Sequence, residues 1–145
     1  IPLLLIGCGG VGRQLLRQIV LCRRLHSDQG VTLRVIGICD SKIMVAVPDV
    51  STSGFDDEFL SRFCELKSCG FALRERYQNS GECLTFSGRE VAEKIIGFAS
   101  ALGKSTGLVL VDCSASSETV TLLTEALDSG CCAVLANKKP LTSSL

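Results

Sequence analysis

The stretch PLLLIGCGGVG, residues 2–12, constrains the fold more than any other part of the chain. A short apolar run that breaks into glycines reads as a buried strand. Beyond Gly10 the apolar residues adopt helical spacing, so the glycines join a strand to a helix. GCGGVG (7–12) matches G-x-G-x-x-G, a pattern that carries meaning in this strand-to-helix setting. Gly7 is expected to allow the tight turn, Gly9 to let the backbone approach a pyrophosphate, and Gly12 to let the helix pack on the strand. Cys8, Gly10 and Val11 complete the expected binding loop. The helix N-terminus offers free N–H groups and a dipole that favours phosphate. No Gly-Lys-Ser/Thr follows, which excludes a Walker-type loop.

Strand and helix patterns then alternate. Val11, Leu15, Ile19 and Cys22 predict the apolar face of a helix from Gly10 to about Leu25, with Arg13, Arg17, Arg23 and Arg24 facing water. VTLRVIGIC (31–39) predicts a second strand ending at Asp40. In DDEFLSRFCELK (56–67), Asp56 or Asp57 is expected to cap a helix with Phe59, Phe63 and Leu66 on one face. The rest of residues 41–86 has no clear pattern. Ser87 is expected to begin a helix carrying Val91, Ile95, Phe98 and Leu102 and stopping at Gly103. GLVLVDC (107–113) and CCAVLA (131–136) read as further strands, separated by a helix marked by Val120, Leu123 and Leu127.

This alternation implies an α/β fold, a Rossmann-type doubly wound, mostly parallel sheet with helices on both faces. One domain is expected over residues 1–145. A sheet covered on both faces also suits a composition that is 46% hydrophobic but 5% aromatic. Ligands in such sheets bind beyond the carboxyl ends of the strands. That rule selects residues 7–12, 40–42, 113–117 and 137–139.

Asp40 stands where an acidic residue would take the ribose hydroxyls of a dinucleotide. It lies 28 residues past Gly12, beyond the ~20 of the usual fingerprint, and a turn-starting Asp is the plain alternative. A carboxylate there favours NAD by repelling a 2′-phosphate, whereas Ser41 and Lys42 would receive one, so NAD and NADP both stay open.

Charge excludes some partners. Fifteen basic and fifteen acidic residues give a net charge of zero with no basic stripe, so nucleic acid is not an expected partner. No apolar run approaches the ~20 residues of a membrane span, and no membrane partner is expected. The opening IPLLLIG has no basic n-region, so it is not read as a signal peptide. The nine cysteines are odd in number, irregularly spaced and mostly within apolar runs, which indicates a reducing compartment rather than a disulfide scaffold. Cys64 and Cys69 have no second pair nearby, so no metal site is expected.

Two stretches near the C-terminus add chemistry. VDCSASSETV (111–120) places short polar residues between a strand end and a helix start. One of Ser116 and Ser117 serves as a cap, while Ser114 follows the strand directly and is free to face a ligand. ANKKPL (136–141) puts Lys138 and Lys139 just before Pro140, which reads as the first residue of a helix. Cations are disfavoured at that end by about 0.3–1 kcal/mol.

GCGGVG, VDCSAS and ANKKPL occur in the order and setting seen in homoserine dehydrogenases, and LRVIGICDSK (33–42) resembles the second-strand region of plant members. The resemblance covers essentially the whole chain. It implies an oxidoreductase that interconverts aspartate 4-semialdehyde and L-homoserine with NAD or NADP, in threonine and methionine biosynthesis. It further implies a homodimer when intact, and plastid stroma or cytoplasm as the compartment. By the same resemblance, Lys138 lies at the active site near the nicotinamide, with a part in proton transfer, and Ser114 contacts the cofactor. A lysine beside a helix N-terminus has its ammonium form disfavoured, which eases proton transfer near neutral pH. The family's substrate and catalytic domain follows the Asn-Lys-Lys element. The chain begins without Met and ends six residues after Lys139, so it is expected to be the cofactor half alone, binding without turnover. Two other functions fit the same residues: a stand-alone NAD(P)-binding sensor, and a thiol-dependent semialdehyde dehydrogenase using Cys113 as nucleophile.

Overall fold

The computed structural model describes residues 1–40, 43–70, 77, 81, 83–113 and 119–135. In chain order the elements are β1 (Pro2–Ile6), α1 (Gly10–Leu21), α2 (Arg23–Asp28), β2 (Arg34–Cys39), β3 (Ile43–Ala46) and α3 (Asp57–Ser68). There follow β4 (Leu84–Ser87), α4 (Arg89–Gly103), β5 (Val109–Asp112), α5 (Thr119–Asp128) and β6 (Cys132–Leu135). The six strands form one sheet in the order β4-β3-β2-β1-β5-β6. Strands β2, β1, β5 and β6 are parallel neighbours, whereas β3 runs antiparallel to both β2 and β4. Only β3 therefore opposes the common direction among these strands.

The crossover from β1 moves one way along the sheet, to β2, and that from β5 moves the other way, to β6. Right-handed crossovers in opposite directions place their helices on opposite faces. Helices α1 and α3 pack together, and α4 and α5 pack together. Between them the sheet supplies the core, with Leu4, Ile36, Ile38, Met44 and Leu110 fully buried. The fold is α/β and of Rossmann type.

The α1 periodicity is shifted from the expected one. Its buried residues are Gly12, Leu16 and Ile19, while Val11 is 61% exposed. Leu15 and Cys22 are only half-buried. A count of apolar side chains misses the true centre of the stripe because a glycine occupies it. The helix also breaks at Cys22, and α2 runs on to Asp28.

Residues 41–86 hold the largest departure. Strand β3 follows β2 at once, and its four residues are all buried. Such a run lacks the alternation that marks a half-buried strand. Ser87 ends β4 instead of starting a helix, and α4 begins two residues later with Gly88 as its N-cap. Its buried residues are Ile95, Ala99 and Leu102, with Val91 and Phe98 half-buried. Leu123 and Ala126 anchor α5, and the expected Leu127 is 52% exposed.

Helix α3 follows expectation. The Asp56 carboxylate accepts a hydrogen bond from the Phe59 N–H at 2.7 Å and caps the helix. Phe59, Leu60, Phe63 and Cys64 are buried, and the Phe55 and Phe59 rings stack at 4.0 Å between centroids. No described helix is long and apolar enough to cross a membrane.

Candidate functional site

Strands β1, β2, β5 and β6 end along one edge. At the centre of that edge Gly7 turns the chain with φ at 91°, a backbone conformation only glycine adopts without strain. Its N–H donates to the Cys39 carbonyl at 2.8 Å, tying the turn to the end of β2. Helix α1 then starts against the turn it has just left. A Cβ added to Gly12 would lie 2.4 Å from the Gly7 carbonyl oxygen.

The α1 N-terminus is open. Gly9 is its N-cap in extended conformation, with no side-chain capping bond. The first N–H groups of any α-helix lack intrahelical partners, and here no described side chain takes their place. A Cβ on Gly9 or Gly10 would meet nothing within 4 Å. Donors, positive dipole and free space thus coincide at one point, which fits the pyrophosphate of a dinucleotide.

Cys8 contributes no reactive thiol to this loop. It is buried, and burial pushes its pKa up to about 11 against the opposing pull of Lys67. The neighbouring Cys39 thiol is raised further still, by burial and then by Cys8 and Asp40.

Asp40 does two things at the end of β2. Its backbone N–H donates to the Ile43 carbonyl at 2.9 Å and its carboxylate accepts from the Ile43 N–H at 2.7 Å, so it starts the turn into β3. Its other oxygen lies 3.2 Å from Lys67 Nζ, reached from the last turn of α3. Both side chains are largely shielded, at 28% exposed for Lys67 and 12% for Asp40. A lysine at a helix C-terminus is also favoured by the dipole. Lys67 escaped the sequence reading because it lies 27 residues from Asp40 and no local pattern links them.

Ser114 and Lys138 lie outside the described residues, as do Ser41 and Lys42. What is described is where their strands end. Ile6, Asp112 and Leu135 are in register across β1, β5 and β6, and the Cys113 N–H donates to the Ile6 carbonyl at 2.7 Å. The Cys113 thiol is half-buried, with its pKa raised by burial and then by the Asp112 charge. A nucleophilic thiol needs the opposite shift and a base. His26, the only histidine, sits on α2, which leads into the opposite, amino-terminal edge of the sheet. This geometry weighs against thiol catalysis. Treatment with iodoacetamide at pH 8 should modify exposed Cys69 and Cys132 first. Cys8 and Cys39 should react only on unfolding, which peptide mass mapping would report.

No protein-family model matches the chain, and no curated protein sequence does. Solved structures do. One is a hyperthermophilic archaeal homoserine dehydrogenase in complex with NADPH, 25% identical with a TM-score of 0.65, over 97% of this chain and 37% of that one. Another is a mutant of a hyperthermophilic archaeal homoserine dehydrogenase in complex with NADPH, 25% identical with a TM-score of 0.67, over 99% and 38%. The chain thus spans little more than a third of the length of these proteins.

Proposed function

We propose that residues 1–145 form the NAD(P)-binding domain of a homoserine dehydrogenase. The carrying observation is the uncapped α1 N-terminus packed against the Gly7 turn, in a fold whose similar structures include homoserine dehydrogenases with NADPH. The N–H groups at the start of α1 bind the pyrophosphate, with Gly7, Cys8, Gly9, Gly10, Val11 and Gly12 shaping the cradle. Asp40 takes the adenosine ribose, and Ser114 contacts the nicotinamide side.

When bound, the cofactor supplies the hydride that reduces aspartate 4-semialdehyde to L-homoserine. Lys138 holds a proton or a positive charge at the aldehyde oxygen, where negative charge develops. The described residues of this chain build the uncapped α1 N-terminus and the sheet behind it. Alone it is expected to bind cofactor without turnover.

The pair of Asp40 and Lys67 bears on cofactor choice. An unpaired carboxylate would repel a 2′-phosphate, but here a lysine cation lies against it. Lys67 therefore offsets that repulsion and provides a partner for the phosphate. NADPH is expected to bind more tightly than NADH. Calorimetric titration of both nucleotides tests this, together with a Lys67→Gln variant. The variant should lose about tenfold in NADPH affinity and little in NADH affinity. Equal effects on both would remove Lys67 from the site. Failure of the unsubstituted chain to bind either nucleotide at millimolar concentration would overturn the function itself.

A further inference from the structure

We propose that Arg13 is a specificity-determining residue that binds the 2′-phosphate of NADPH together with Lys67, an inference that rests on the cofactor reading above. Arg13 directly follows the glycine loop, and its N–H closes the first turn of α1 on the Gly9 carbonyl at 2.9 Å. Its own carbonyl accepts a hydrogen bond from the Cys64 thiol at 3.7 Å, which sets it against α3. Lys67 lies three residues past Cys64, one turn nearer the end of α3 and on the same side of that helix. Its Nζ meets Asp40 at the end of β2. Cations from two helices thus flank the carboxyl end of β2, where the adenosine ribose would sit.

Charge and burial give Arg13 a use there. The apolar periodicity of α1 would leave it in water, yet it is half-buried. Among the described residues none forms an ion pair or hydrogen bond with its guanidinium, and Asp40 is engaged with Lys67. The first turn of α1 holds no acidic residue, and a cation in that turn opposes the helix dipole. A bound anion relieves both conditions, and the guanidinium fork matches a phosphate. The neighbouring thiols report where these charges act. Burial raises the Cys8 thiol, with Lys67 pulling it down, Asp40 pushing it up and Arg13 pulling it down. Burial likewise raises Cys64, against the pull of Arg17 and then Arg13. Cys8 belongs to the glycine loop, so both Lys67 and Arg13 are felt at the cradle itself.

Arg13→Gln should bind NADPH about tenfold more weakly, while its affinity for NADH stays within about twofold of the unsubstituted chain. Arg17→Gln controls for general electrostatic attraction, because Arg17 is exposed and its guanidinium donates to Ser68 Oγ at 3.2 Å. That variant should keep both affinities within about twofold. Equal losses for NADPH and NADH in Arg13→Gln, no loss at all, or the same NADPH loss in Arg17→Gln would each overturn the proposal. A second measurement needs no substitution. The side-chain Nε–H resonance of Arg13 in the labelled chain should shift on adding adenosine 2′,5′-bisphosphate and not on adding adenosine 5′-monophosphate. A resonance that answers both alike, or neither, contradicts the proposal. If the unsubstituted chain binds neither NADPH nor NADH, the cofactor reading falls and this proposal with it. If it binds both and Arg13→Gln weakens both alike, this proposal falls alone.

Discussion

Replacing Gly12 by valine is expected to abolish dinucleotide binding and to destabilise the domain. The first atom added, Cβ, would stand 2.4 Å from the Gly7 carbonyl oxygen and 3.3 Å from its carbon. Both are backbone atoms and cannot rotate away. Either α1 lifts from β1 or the Gly7 turn opens, and both movements displace the helix N-terminus. Overpacking of this kind costs about 1–3 kcal/mol, and the branched side chain adds its own bulk against Leu5, already 3.5 Å from that Cβ. Urea denaturation should show the loss of stability, and calorimetry a loss of NADPH affinity of about a hundredfold or more.

Gly9→Ala supplies the control. Gly9 has an ordinary φ of −72°, and its Cβ would meet nothing within 4 Å. Stability should change by no more than about 0.5 kcal/mol, while the methyl group would stand between the backbone and a pyrophosphate. Binding lost without stability separates the cradle from the packing. Wild-type affinity in Gly12→Val would contradict the assigned geometry.

Under the proposed function, Lys138→Ala in a full-length homoserine dehydrogenase that carries this domain is expected to lower kcat by about 10²–10⁴-fold, the range of a positioned proton donor. Lys138→Arg distinguishes the two contributions open to a lysine there. Arginine keeps the positive charge but does not give up its proton in the accessible range. Recovery by Arg would mean that charge at the developing alkoxide dominates, and failure of Arg would mean that proton transfer does. Normal turnover in Lys138→Ala would remove this residue from the reaction.

The parts of the fold that were legible in the sequence are those where local chemistry decides the outcome. A strand breaking into Gly7, Gly9 and Gly12 has few other conformations, and the structure brings Gly12 against Gly7 as the motif requires. Asp56 and Asp57 both offered a cap for α3, because capping is a contact between residues three apart, and the structure assigns it to Asp56. Local pattern failed where tertiary contact decides. Four buried residues of β3 look like any short apolar run until the neighbouring strands β2 and β4 are in place. The buried stripe of α1 is centred on a residue without a side chain, so counting side chains put Val11 in the core when it is exposed. The pairing of Asp40 with Lys67 depends on how α3 returns over the end of β2, which no spacing along the chain conveys. The reading of Asp40 as a choice between ribose ligand and turn former also changed, since one side chain starts the β3 turn and meets Lys67 as well.

The most direct test of the central claim is an amide NMR titration of the isotopically labelled chain with NADPH. Saturable one-to-one shifts are expected to be largest for the backbone N–H groups of residues 9–12 and to extend to Asp40 and Lys67. Shifts that do not saturate, or that centre on the apolar groove between α1 and α3 lined by Val20, Leu21 and Leu60, would contradict a dinucleotide cradle at the end of β1.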